Sequence, residues 1–132
     1  MNANRALNAY QREAILSASP ARLLTMLYDR LLVDLSRAES AQLAEDWATA
    51  HEYLLHAQDI LTELSGSLQP ELWSGADALL GIYTYAGATL MNANIHRNVA
   101  QTRECIELLE PLRATWHEAA GVPAGAAAGA VA

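Results

Sequence analysis

The sequence predicts an all-α chain: an antiparallel up-down four-helix bundle with an N-terminal arm and a disordered C-terminal tail. Three observations predict it. Apolar residues recur at three- and four-residue spacing in four successive segments. Strand signals are nearly absent, with few β-branched residues and no hairpin dipeptide between alternating runs. The connections between the segments are short, which favours antiparallel neighbours. The domain plan is an arm over residues 1–18, a bundle over 19–120 and an Ala/Gly-rich tail over 121–132.

The arm is polar, with Leu7, Tyr10, Ile15 and Leu16 as scattered apolar anchors. It either floats or lies on its own helical body. The first helix starts at a marked boundary. Ser19 can accept from the orphan amides of the first turn, and Pro20 fits the first helical position with φ already set. Leu23, Leu24, Leu27, Leu31, Leu35 and Ala38 form its stripe, which runs to about Ala44.

Asp46 is a good N-cap for the second helix. Trp47, Ala50, Leu54, Ala57, Leu61 and Leu64 share one of its faces, and Gly66 marks its end. A loop with Pro70 follows, with room for a short turn through Leu72 and Trp73. The third helix begins near Ser74 or Gly75. Its stripe is Leu79, Ile82, Tyr83, Ala86, Leu90 and Ala93, and it ends in the 94–98 region, where His96 and Arg97 complement the helix dipole. The fourth runs from about Asn98 to Ala120, with Val99, Ile106, Leu109 and Trp116 inward and Gly121 at C′. Pro111 lies inside it, removes the bond to the Glu107 carbonyl and is expected to kink it there. The tail has little to bury.

The 132 residues suit one domain, and 52% hydrophobic with 17% charged residues is a globular composition. The formal net charge is −7, and the eight basic residues are all Arg, scattered along the chain. Phosphate neutralisation needs a basic stripe, so neither nucleic acid nor an anionic membrane surface is an expected partner. Cys105 is the single cysteine and reads as a small core hydrophobe in a reduced, cytoplasmic setting. No signal peptide and no membrane-spanning run is expected.

Signs of chemistry are few. A di-iron bundle needs Glu-x-x-His on two helices, and the chain has none. His51 and His56 lie five residues apart, about 140° around a helix, and cannot easily share one ion. They read as solvated or edge histidines. Gly-x-Ser-x-Gly, Walker-type and Gly-x-Gly-x-x-Gly signatures are absent. The carboxylates map mostly to outward faces. No metal, no cofactor and no enzymatic activity is expected.

Apolar residues off the main stripes are more informative. Met26 and Val33 do this on the first helix, and Tyr53 and Ile60 widen one edge of the second. Leu80, Gly87 and Met91 share a line on the third, with Thr84 between them, and Cys105, Leu108 and Leu112 follow on the fourth. Together they exceed what one bundle interior needs, and they suit a groove for a partner's helix or extended segment. Leu7, Tyr10, Met26, Val33, Tyr53, Ile60, Leu80, Gly87, Met91, Leu108 and Leu112 are therefore the candidate partner-binding residues.

Ordered punctuation marks join these stripes: Ala9-Tyr10-Gln11, Ser17-Ala18-Ser19-Pro20, Met26-Leu27-Tyr28-Asp29, Ala57 through Leu64, Leu80 through Tyr85, Ala93-Asn94, and Arg113 through Trp116. In that order the chain, from about Ala9 to Trp116, resembles the bacterial flagellar secretion chaperone FliS family. Thr84 stands where an acidic residue is usual in that family, and Pro111 and the tail are unfamiliar. The resemblance implies a cytosolic chaperone that binds the disordered C-terminal segment of flagellin. It would prevent premature polymerisation, deliver the subunit to export-gate components, and use an arm bearing Tyr10 as a displaceable cover. The alternative is a helical adaptor or regulatory module for another protein client.

Overall fold

Each of the four periodic segments folds into a helix: α1 (Pro20–Leu43), α2 (Trp47–Gly66), α3 (Ala76–Ile95) and α4 (Val99–Ala119). The computed structural model describes residues 20–69 and 74–121. The expected arm with Leu7 and Tyr10, the turn through Leu72 and Trp73, and the tail beyond Gly121 lie outside the described residues. So does the side chain of Pro20.

Two turns of one design set the antiparallel order. After α1, the Asp46 amide donates to the Ala41 carbonyl at 2.8 Å and the Glu45 amide to the Gln42 carbonyl at 3.0 Å. After α3, the Asn98 amide donates to the Ala93 carbonyl at 2.9 Å and the Arg97 amide to that of Asn94 at 3.4 Å. Both are Schellman closures, which satisfy the last carbonyls of a helix by bending one residue into the left-handed region. That residue is ordinarily Gly, yet here it is Glu45 (φ 58°) and Arg97 (φ 50°). The next residue then caps the following helix: Asp46 Oδ1 accepts from the Thr49 amide and Asn98 Oδ1 from that of Gln101. Gly121, with φ 75°, fills the expected place after α4.

Cross-helix contacts confirm the antiparallel arrangement. Asp34 meets His56 and Arg37 lies over Tyr53 between α1 and α2. His51 meets Asn94 between α2 and α3. Tyr85 meets Glu104 and Asn92 meets Gln101 between α3 and α4. Asp29 meets Arg113 and Glu39 meets Arg103 between α1 and α4. The helices thus pack in a ring, with α1 diagonal to α3.

The core is filled mostly by the stripes: Tyr28, Leu31, Leu35 and Ala38 of α1, Leu54, Ala57, Leu61 and Leu64 of α2, Leu79, Tyr83, Ala86 and Leu90 of α3, and Leu109 of α4, joined by Ile60 and Cys105 from beside them. Each large side chain removed from water contributes about 1.5–3 kcal/mol. Cys105, read both as core and as part of an outer stripe, is fully buried; its thiol donates a weak bond to the Ala86 carbonyl at 3.7 Å. Ile106 and Trp116 are partly buried against the core. α4 runs unbroken through Pro111, which sits with Glu107 on the exposed side, where water can satisfy the freed carbonyl.

Candidate functional site

Between α2 and α3 lies a groove of about 330 Å³. Gln58, Leu61, Thr62 and Ser65 form one wall, and Tyr83, Thr84, Gly87, Ala88 and Met91 the other. Leu61 and Tyr83 are buried beneath it, whereas Met91 stands at the rim, 53% exposed. The hydroxyls in the α2 wall are turned onto their own helix: Thr62 donates to the Gln58 carbonyl at 3.1 Å and Ser65 to that of Leu61 at 2.8 Å. With the protons so engaged these hydroxyls keep only acceptor capacity toward a partner, and the groove is mainly carbon.

Gly87, like Gly81 on the same helix, has open space where a side chain would stand, but only Gly87 lines the groove. A Cβ at this position would meet no atom within 4 Å, so nothing in the bundle demands Gly there. A helical Gly costs about 1 kcal/mol against Ala. The absent side chain leaves the α3 backbone open to close approach from the groove.

The candidate residues are thereby spread over several faces. Gly87 and Met91 meet in the α2–α3 groove, with Thr84 beside them. Leu80 is exposed on α3 but outside the groove lining. Val33 is exposed on α1, and Met26 is half-buried there. Tyr53 faces α1, its ring under Arg37 at 5.7 Å. Leu108 and Leu112 pack partly buried against the core. Ile60, expected at an edge, is a core residue.

The expectation that carboxylates face outward fails at Asp34. It is fully buried on α1, where Arg30 Nε donates to it at 3.0 Å and His56 Nδ1 at 2.8 Å. Asp29 anchors α4 similarly, accepting from Arg113 Nε and from the buried His117 Nε2, both at 2.7 Å. The Arg30–Asp34 spacing of four residues was the available sequence signal; the cross-helix partners had none. Exposed Leu55 and Tyr85, each beside a stripe residue, and exposed Ile95, at the very end of α3, are further apolar surface residues outside the sequence reading. Among the described residues no group of three or more His, Cys, Asp or Glu side chains is placed to hold a metal ion, and no helix is long and apolar enough to cross a membrane.

Fold and groove together define a class: an all-α bundle that presents a carbon-lined interhelical channel. The family profile of the flagellar protein FliS matches residues 2–123. The flagellar secretion chaperone FliS of Campylobacter jejuni is 31% identical over 119 residues, covering 89% of this chain and 93% of its own. That of Bacillus subtilis is 29% identical over 111 residues, covering 84% and 83%. A crystal structure of a bacterial flagellar chaperone superposes with a TM-score of 0.70, over 86% of this chain and 96% of that one; at 20% identity the likeness shows the fold. The chain belongs to the FliS family of flagellar secretion chaperones.

Proposed function

We propose that the protein is a cytoplasmic, non-enzymatic export chaperone that binds the C-terminal segment of flagellin, keeps it from polymerising early and passes it to the export apparatus. The observation that carries the reading is the α2–α3 groove, with open Gly87 and exposed Met91 on the α3 wall and, facing them on α2, hydroxyls that donate to their own helix. A segment that folds on binding needs such a surface: its affinity comes from a few apolar anchors, each worth about 2–4 kcal/mol, set against the ordering cost. The net charge of −7 keeps an apolar-surfaced chaperone dispersed.

Residues 1–18 serve in this reading as a cover for part of the apolar surface, with Leu7 and Tyr10 as anchors that the client displaces. Titration calorimetry with the C-terminal peptide of the same organism's flagellin tests the binding, and absence of binding at tens of micromolar refutes it. Deleting the arm up to Ser17 is expected to change the affinity; an unchanged affinity removes the arm's role.

A further inference from the structure

The α2–α3 seam continues past Met91. The helical rows that line it, Ser65, Thr62 and Gln58 on α2 and Thr84, Gly87 and Met91 on α3, continue to His51 and Trp47 and to Asn94 and Ile95. From Ser65 to Trp47 this is about 27 Å of helix. At the end of the bundle where α2 begins and α3 ends lies a second cavity, of about 460 Å³, with a different chemistry. We propose that this cavity binds a carboxylate of the segment held in the groove, with Arg97 and His51 as the donors; the inference rests on the groove reading above.

Arg97 lies over the Trp47 ring, 5.0 Å from its centroid. Stacking holds the planar guanidinium in place while its N–H edge stays available, the geometry that matches a carboxylate. Arg30, Arg103 and Arg113 each pair with carboxylates of this chain, whereas Arg97 pairs with none among the described residues. Arg37, over the Tyr53 ring, likewise has no carboxylate partner among the described residues, but it does not line this cavity. The neighbouring carboxylates, Glu45 and Asp46, do not line the cavity, and Asp46 is engaged with the Thr49 amide.

His51 supplies the second donor. The Asn94 amide nitrogen donates to His51 Nδ1 at 2.8 Å, which leaves the proton of the neutral ring on Nε2. A further group points to a ligand with an N–H beside its carboxylate. Gln42 lines the cavity at 3% exposure and donates to the Ala93 carbonyl at 3.3 Å, while its buried Oε1 has no partner. A buried unpaired acceptor is costly to leave unmade. Ile95, 66% exposed at the rim, offers an apolar seat for the adjoining side chain. A chain terminus and an Asp or Glu side chain both carry this chemistry.

The test is titration calorimetry with the full chain and four probes: the flagellin C-terminal peptide as free acid, as C-terminal amide, with its acidic side chains converted to amides, and with both changes. Arg97→Asn, which tolerates the left-handed backbone, is expected to weaken the free acid about tenfold, and Arg97→Lys less. The same loss without any protein substitution is expected for the probe that lacks the bound carboxylate, which separates terminus from side chain. The Arg97 effect should vanish with that probe and shrink at high salt. Free-acid binding that depends on Met91 but is unchanged by Arg97→Asn and His51→Gln overturns this inference and leaves the groove reading standing. No binding by the unsubstituted chain overturns both.

Discussion

The hydroxyls of Tyr28 and Tyr83 meet 2.6 Å apart at the centre of the bundle, joining the diagonal helices α1 and α3. Their rings are tilted by 53° with centroids 6.3 Å apart. Both side chains are essentially buried, so each hydroxyl is the other's main replacement for water. Tyr83→Phe leaves the Tyr28 oxygen without that bond and is expected to cost about 1–3 kcal/mol in urea denaturation. Tyr28→Phe with Tyr83→Phe should cost less than the two single changes added together. Additive losses would show that the hydroxyls do not act as a pair.

Burial also fixes how the fold responds to alkali. Desolvation pushes both phenols above their usual 10.0, although hydrogen bonds from Tyr83 and Trp116 pull Tyr28 back. Burial, with a smaller push from Glu104, raises the Cys105 thiol from 9.0 to about 12. Each neutral form is favoured in the folded chain, so the folded state holds its protons longer than the unfolded one. That stabilisation is complete below the unfolded values, 9.0 and 10.0, and fades as pH rises through the folded ones. The urea midpoint is expected to fall from about pH 9 upward. A midpoint that holds or climbs to pH 12 would contradict the burial argument. At pH 8 the native thiol should resist alkylation until the chain is unfolded.

Asp34 is a polar post inside the α1–α2 seam. Asp34→Asn keeps its shape but removes the charge that Arg30 and His56 share. The expected loss is about 1–2 kcal/mol, at the low end for charge-assisted bonds because both partners are half exposed. The check is the denaturation midpoint at neutral pH, and an unchanged midpoint would show that solvent already screens the contact.

Much of this was legible in the sequence, for reasons specific to each element. Pro20, Asp46 and Gly121 are local signals, and helix boundaries fell within one or two residues of them, while the expected cap Ser19 lies outside the described residues. The stripes located the core because burial imposes one period on every helix. The two Schellman turns carried no such mark, since Glu45 and Arg97 occupy places where Gly is the usual sign. Gly87 and Met91 were found as a surplus line on one helix; that Gln58, Thr62 and Ser65 face them is a fact of packing. Ile60 sits at the edge of the α2 stripe by spacing alone, and the neighbouring helices close over it. The burial of Asp34 depends on His56, twenty-two residues away, and no local pattern reports it.

Gly87 separates stability from binding. A methyl group there meets open space, so Gly87→Ala is expected to stabilise the fold by about 0.5–1 kcal/mol. The same methyl group enters the groove and is expected to weaken the flagellin peptide several-fold. Thermal unfolding and calorimetry on one preparation give both values. A stabilised variant with unchanged affinity would remove Gly87 from the client surface.

The most direct measurement is calorimetric binding of the flagellin C-terminal peptide to the unsubstituted chain and to Met91→Asp. Met91 is 53% exposed, so the substitution should leave the melting temperature nearly unchanged. The predicted result is a one-to-one complex whose affinity falls about thirtyfold in the variant, the loss of about 2 kcal/mol expected of one hot-spot anchor. Equal affinities for the two proteins would contradict the placement of the client in the α2–α3 groove.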